Sequence, residues 1–341
     1  MNGFERIEAV LRGRWPDRVP VMLHNFMLAA HEAGVTMERY RNDARAIARC
    51  FIEAIERYGY DGIVVDVDTA TLAGALGAPV DFPADAPARS SGGRLRALDE
   101  VDELETPDVA RYPGVQVWLE ATALVREHFG NEVYIRGNCD QAPYSLAALV
   151  RSPEAWMMDL TEPENQQRAH RLLAHCAQAT AQFIRLMAQT GAHMVSNGDS
   201  LAGPELVSPK LYREFALPYE KQIVELAHEL ARPYFLHICG KTDRILQDMV
   251  STGADGLELD YRTDIRLAHE LLRDNAVFIG NLDPSGLLAS GTPTMVEEKA
   301  RELMGVFADT PRLILNAGCA IPPTTPPENI RALMRAARQG P

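Results

Sequence analysis

Tyr234-Phe235-Leu236-His237-Ile238-Cys239-Gly240 reads as an apolar strand that runs into two soft metal ligands and then breaks at a glycine. Side chains on a strand alternate faces, so His237 and Cys239, two residues apart, point the same way from one strand end and form a chelating pair. Another apolar strand, Leu313-Ile314-Leu315, continues through Asn316-Ala317-Gly318 to Cys319 and offers a third ligand. Two thiolates and one imidazole leave a tetrahedral zinc with its fourth position open, as catalytic rather than structural zinc sites do. The competing reading is an ordinary core, since free cysteine is among the most buried residue types. Both segments end in glycine-containing turns, where the backbone must bend sharply, and that context favours the metal.

The same phrase recurs along the chain: a helix stops at a glycine and an apolar strand begins within a few residues, the αβ step of a parallel sheet. Strands are predicted at 19–23, 62–65, 133–136, 193–196, 234–238, 256–259, 277–279 and 312–315, and helices at 1–14, 42–58 and 115–129, with a long helix opening near Pro163 and closing at Thr190-Gly191. Eight such steps close into a (β/α)8 TIM barrel, the expected fold, with N-terminal helices and an insertion after the second strand. An open doubly wound sheet would show a glycine-rich phosphate turn after its first strand, and none is present. The proline-rich stretch 78–114, with Ser90-Ser91-Gly92-Gly93 and an acidic run at 99–105, lacks the periodicity for a core of its own, so residues 1–341 are read as one domain.

The chain of 341 residues has a formal net charge of -13, which leaves no basic patch for a phosphate backbone and excludes nucleic acid as the expected partner. Residues 1–14 alternate charged and apolar side chains as an amphipathic helix does, unlike a signal peptide, and no apolar run reaches a membrane span. Five cysteines, Cys50, Cys139, Cys176, Cys239 and Cys319, are odd in number and scattered, so a reducing, cytoplasmic setting is expected. Cys50 and Cys176 lie within helices among apolar neighbours and read as core. Cys139 follows the third strand as a spare ligand.

In such a barrel the active site lies at the carboxyl ends of the strands. Those positions hold His24 and Asn25, Asp66 and Asp68, Arg136, Asn138 and Asp140, Asn197 and Asp199, Glu258 and Asp260, and Asn316, beside the proposed ligands. Asn281 and Asp283, before Pro284, read better as capping residues. Asp68 and Asp199 are the expected catalytic carboxylates. Substrate contacts are expected from His24, Asn25, Arg136, Asn138 and Asn197.

With these residues in view, the chain resembles the uroporphyrinogen decarboxylase superfamily. The matching features are Asp68 with Ala75-Leu76-Gly77, Gly137 through Pro143-Tyr144-Ser145-Leu146, Leu206-Val207-Ser208-Pro209 with Leu217-Pro218-Tyr219, His237-Ile238-Cys239-Gly240, Gly280-Asn281-Leu282-Asp283-Pro284, and Gly318-Cys319 with Pro326-Pro327-Glu328-Asn329-Ile330. Within the superfamily it is most similar to the zinc-dependent methylcobamide:thiol methyltransferases, whose His-x-Cys and distant Cys are matched by His237, Cys239 and Cys319. Porphyrinogen decarboxylases carry an arginine-rich grip for propionates near the N-terminus. Here residues 17–34 contain only Arg18.

That resemblance implies Zn2+ as cofactor, a small-molecule thiol as acceptor, and a methylcobamide as co-substrate, with a place in one-carbon metabolism. No Asp-x-His-x-x-Gly pattern for holding a corrinoid occurs in the chain, so a corrinoid protein is the expected partner, or free methylcobalamin the donor. Two other readings stand beside this one: a cofactor-free decarboxylase of an acidic substrate that uses Asp68, and a barrel that binds metal or ligand without catalysis.

Overall fold

In the computed structural model, which describes residues 1–340, each predicted apolar run forms a strand. These are β1 (Met22–Leu23), β2 (Gly62–Val65), β3 (Tyr134–Gln141), β4 (Met194–Gly198), β5 (Tyr234–Ile238), β6 (Gly256–Leu259), β7 (Val277–Leu282) and β8 (Leu313–Ala317). All pair in parallel in chain order. A parallel bridge between Val21 and Leu315, with Leu315 N donating to Pro20 O at 2.9 Å, joins β8 to β1 and closes the barrel. The edges run slightly past or short of the predicted bounds, most at β3, which continues to Gln141.

Period-two alternation splits the apolar side chains into two cores. Met22, Val64, Tyr134, Met194, Phe235, Val277, Ile279 and Ile314 fill the barrel interior, while the intervening residues pack outward against the helices. The interior set would be open at its lower end without α1 (Gly3–Leu11), whose Ile7 and Val10 are fully buried against it. Asn2 and Glu5 start that helix with a reciprocal capping box. Each such apolar side chain, once buried, contributes roughly 1.5–3 kcal/mol, so the N-terminal helix is a working part of the barrel.

At the same lower end, buried Asp61 accepts from Arg6 at 2.9 Å, from Arg18 at 2.8 Å and from Val21 N at 2.9 Å. Arg18 is therefore held at the amino ends of the strands, opposite the mouth.

Helix α2 (Ala44–Tyr58) is capped by Asp43 and ends at Gly59 in the left-handed region, φ 72°. After β2 comes the short α3 (Thr71–Ala75), and α4 (Pro113–Phe129) precedes β3. Between α3 and α4 the chain forms a small antiparallel hairpin, Val80–Asp81 with Arg89–Ser90, and two 3-10 turns, Leu98–Glu103 and Val109–Arg111. Leu95, Leu98, Val101 and Val109 join the outer core. The long helix α5 (Gln166–Gln189) starts after a 3-10 turn at Pro163–Asn165. Among the described residues, no helix is long and apolar enough to cross a membrane.

Candidate active site at the carboxyl ends of the strands

The end of β5 and the turn after β8 bring His237, Cys239 and Cys319 together, with their three ligand atoms within 4.8 Å of one another. His237 Nε2 is 3.2 Å from Cys239 Sγ, and Nδ1 is 2.9 Å from the carbonyl oxygen of Glu258. That carbonyl accepts the Nδ1 proton, so Nε2 is the ring nitrogen that faces the two sulfurs. Two backbone devices hold the thiols in place. Gly240, at φ 91°, turns the chain after Cys239 and donates its N–H to Asp260 at 2.9 Å, while a Cβ on Gly318 would fall 2.5 Å from Tyr261 N.

Cys239 is held down to about 4 by a hydrogen bond from Cys319, with His237 and Ser200, whose Oγ is 3.2 Å away, adding to the effect. The Cys319 thiol is raised correspondingly by Cys239. Without a metal, this pair carries one thiolate and one thiol. The donor set of one imidazole nitrogen and two sulfurs, partly buried and already oriented, fits Zn2+.

His237 and Cys319 line a cavity of about 240 Å3 at the barrel mouth, together with His24, Phe26, Met27, Asp66, Asp68, Thr69, Pro87, Arg136, Asn138, Asp140, Gln141, Ser200, Glu258 and Ala320. A second hollow of about 410 Å3 lies beside it, sharing Met27 and Pro87 and lined also by His31, Met37 and Pro323. Most cavity charges are internally matched. Arg136 Nη1 lies 2.6 Å from Glu258 Oε2, and His24 Nε2 lies 2.6 Å from Asp66 Oδ2. Burial works against charge here, yet Arg136 and His24 hold the Glu258 carboxyl well below the usual range, and Asp66 with Glu258 raises His24 to about 9. Asn138 donates to Asp66 Oδ1 at 2.9 Å and accepts from Ser196.

Strand alternation decides which of the expected residues reach this cavity. His24, Asp68, Arg136 and Asn138 continue the inward series set by Met22, Val64 and Tyr134, and they line it. Asn25, Asn197 and Asp199 fall on the outward series and do not line it. Asn25 donates to Tyr60 Oη at 3.0 Å, and Asn197 braces β3 through the Cys139 carbonyl at 2.6 Å. Asp199 accepts from Ser145 N at 2.7 Å and shares a hydrogen bond with buried Glu220; burial raises Asp199 to about 6. Cys139 also points outward and stays apart from the triad, while Cys50 and Cys176 are buried in their helices.

Asp68 lines the cavity and also caps α3, accepting from Ala70 N at 2.9 Å, Thr71 N at 2.8 Å and Thr71 Oγ1 at 3.1 Å. The two roles separate in a variant. Asp68→Asn is expected to lower turnover at least about tenfold with zinc content unchanged, beyond the loss of about 1 kcal/mol that a weakened cap produces. Normal turnover with only that stability loss would leave Asp68 a capping residue.

Ser200, Met27 and Pro87 were not among the expected site residues. Ser200 lies in a 3-10 turn after β4, and Pro87 in the inserted hairpin, so neither carries a strand-end signal.

Comparison with known proteins gives the same architecture. Methylcobamide:CoM methyltransferase MtbA of Methanosarcina acetivorans is 34% identical over 220 residues, 64% of this chain and 62% of that protein. The MtbA of Methanosarcina mazei is 28% identical over 341 residues, 98% of this chain and 97% of that protein. Other relatives bear the name uroporphyrinogen decarboxylase. A solved structure described as a methyltransferase from Methanosarcina mazei superposes with a TM-score of 0.90 at 23% identity, covering 99% of each chain. The profile of the uroporphyrinogen decarboxylase (URO-D) family matches residues 2–340, and the chain belongs to that family.

Proposed function

We propose that this enzyme moves a methyl group from a corrinoid to a thiol acceptor at a zinc ion held by His237, Cys239 and Cys319. The observation that carries the reading is the convergence of those three ligand atoms, within 4.8 Å of one another, beside the mouth cavity that His237 and Cys319 line. Bound there, Zn2+ supplies a Lewis acid that lowers the pKa of an entering thiol, and two protein thiolates leave it little net positive charge to quench the sulfur. The residues of the chain do the rest. The Glu258 carbonyl fixes the His237 tautomer, Ser200 steadies the Cys239 sulfur, and the walls formed by Phe26, Met27 and Pro87 limit water around the reacting sulfur. In the transfer a sulfur–carbon bond forms as the cobalt–carbon bond breaks, the electron pair stays with the corrinoid, and the thiol proton goes to solvent. The names of the methyltransferase relatives support this assignment.

A porphyrinogen decarboxylase reading fits less well. Arg18 is committed to Asp61 at the far end of the barrel and does not line the cavity, so it cannot grip a propionate there. Purified protein loaded with zinc is expected to consume methylcobalamin, followed by its absorbance, only when thiol is present. Carbon dioxide release from an acidic substrate without metal, and no methylcobalamin loss with any thiol, would replace this reading with the decarboxylase.

A further inference from the structure

Met27 and Pro87 each face two hollows. One is the mouth cavity of about 240 Å3, on whose wall His237 and Cys319 lie, and the other is the hollow of about 410 Å3 beside it, lined also by Val35, Met37 and Pro323. Both side chains are half-buried, and they are the residues common to the two linings, so they stand between the two spaces. A ligand chain that grows from the triad toward the larger hollow has to pass them.

The two halves of this wall are held in different ways. Met27 belongs to the helix Phe26–Glu32, whose Leu28, Ala29 and Ala30 are buried in the outer core. Pro87 lies in the tip of the inserted hairpin, residues 82–88, and the stem of that hairpin is the two pairs Val80 with Ser90 and Asp81 with Arg89. So short a stem does not fix its own tip. The short helix Met37–Asn42 does so. Tyr40 Oη donates to the carbonyl oxygen of Asp66 at 2.7 Å, which pins that helix to the cavity end of β2. The next residue, Arg41, donates from Nη2 to the carbonyl oxygens of Pro83 and, at 2.6 Å, Ala86, and its guanidinium lies 5.8 Å from the centroid of the Phe82 ring. Glu38 N donates to the carbonyl oxygen of Ala84 at 3.0 Å. Arg41 is 7% exposed, and among the described residues its side chain donates only to those two carbonyls of the tip. Burying a cation is costly unless it is hydrogen-bonded, and here those bonds go to the backbone that carries Pro87.

We propose that Met27 and Pro87 set the length of the acceptor by closing the mouth cavity toward the larger hollow, and that Arg41 is the positioning residue that holds Pro87 in this wall. The acceptor is then a thiol short enough to end at the wall. That it is a thiol rests on the reading above, while the wall stands on the two hollows alone.

Neutral thiols that differ only in length, 2-mercaptoethanol, 4-mercapto-1-butanol, 6-mercapto-1-hexanol and 8-mercapto-1-octanol, test the wall by calorimetry on zinc-loaded protein. Each methylene moved from water into apolar surroundings raises affinity about fourfold, so two raise it about fifteenfold. The native protein is expected to show no gain over the step from six to eight carbons. Met27→Ala should restore a gain of about fifteenfold over that step. Arg41→Met, which changes no residue of either lining, should restore most of it, whereas a mere loss of stability would weaken all four thiols alike. A steady rise in the native protein, or a flat last step in Met27→Ala, overturns the wall. A flat last step in Arg41→Met beside a rise in Met27→Ala overturns the role of Arg41. On metal-free protein, 1-hexanol and 1-octanol followed by ligand-observed NMR repeat the comparison without sulfur, and the same flat step with the same release in Met27→Ala is expected. Thiol binding that ignores zinc while the alcohols keep this pattern overturns the thiol reading and leaves the wall standing.

Discussion

Cys239→Ser and Cys319→Ser are each expected to weaken zinc binding on the order of a hundredfold or more and to abolish methyl transfer, while Cys50→Ser and Cys176→Ser leave both unchanged. Zinc held by protein ligands contributes about 10–16 kcal/mol, so one ligand of three carries several kcal/mol, and each 1.4 kcal/mol is about a factor of ten. The contrast follows from position: Cys239 and Cys319 meet His237 at the barrel mouth, while Cys50 and Cys176 are buried in helices packed on its outside. Metal content after dialysis against a graded chelator measures it. Full zinc retention in Cys319→Ser would remove the distant ligand from the site.

The second large effect concerns stability. Arg136 and Glu258 are 2% and 1% exposed, paired at 2.6 Å inside the barrel, and the guanidinium lies 5.4 Å from the centroid of the Phe235 ring. Arg136→Met should destabilise the fold by roughly 3–5 kcal/mol, because it leaves a buried carboxylate with only His24 and Asn316 for company. Replacing both partners, Arg136→Met with Glu258→Leu, should recover most of that loss, since two apolar side chains need no counter-charge. Urea unfolding of the two single variants and the double variant gives the coupling. Equal losses in single and double variants would mean that the pair is not the source of the effect.

The barrel was legible because its evidence is local and repeated. Each apolar run bounded by a glycine-ended helix and a polar turn is a strand, and 62–65, 234–238 and 256–259 fall on the observed bounds of β2, β5 and β6. The convergence of His237 and Cys239 was legible for a related reason: the two lie two apart on one strand, and the inward side chain of Phe235 sets the direction for both.

Less legible was which strand-end polar residues face the cavity. Asn25, Asn197 and Asp199 were grouped with the mouth because they end strands, yet Met22 and Met194 point inward, and counting by twos from them places all three on the outer face. Alternation was the missing step there. It could not have placed Gln141, which the positive φ of Asp140 and the slipped pairing bring into the cavity, nor Ser200 and Pro87, which reach the site from a turn and an inserted hairpin with no period to follow.

The central claim is that a thiol meets zinc at His237, Cys239 and Cys319 and loses its proton there. Calorimetry of thiol binding to the zinc-loaded enzyme, repeated near neutral pH in buffers of different ionisation enthalpy, counts that proton without a corrinoid. A free thiol has a pKa of about 8.5 and enters mostly protonated, so the account predicts release of about one proton per chain, absent from the metal-free protein. Tight, zinc-dependent binding with no proton released would contradict it.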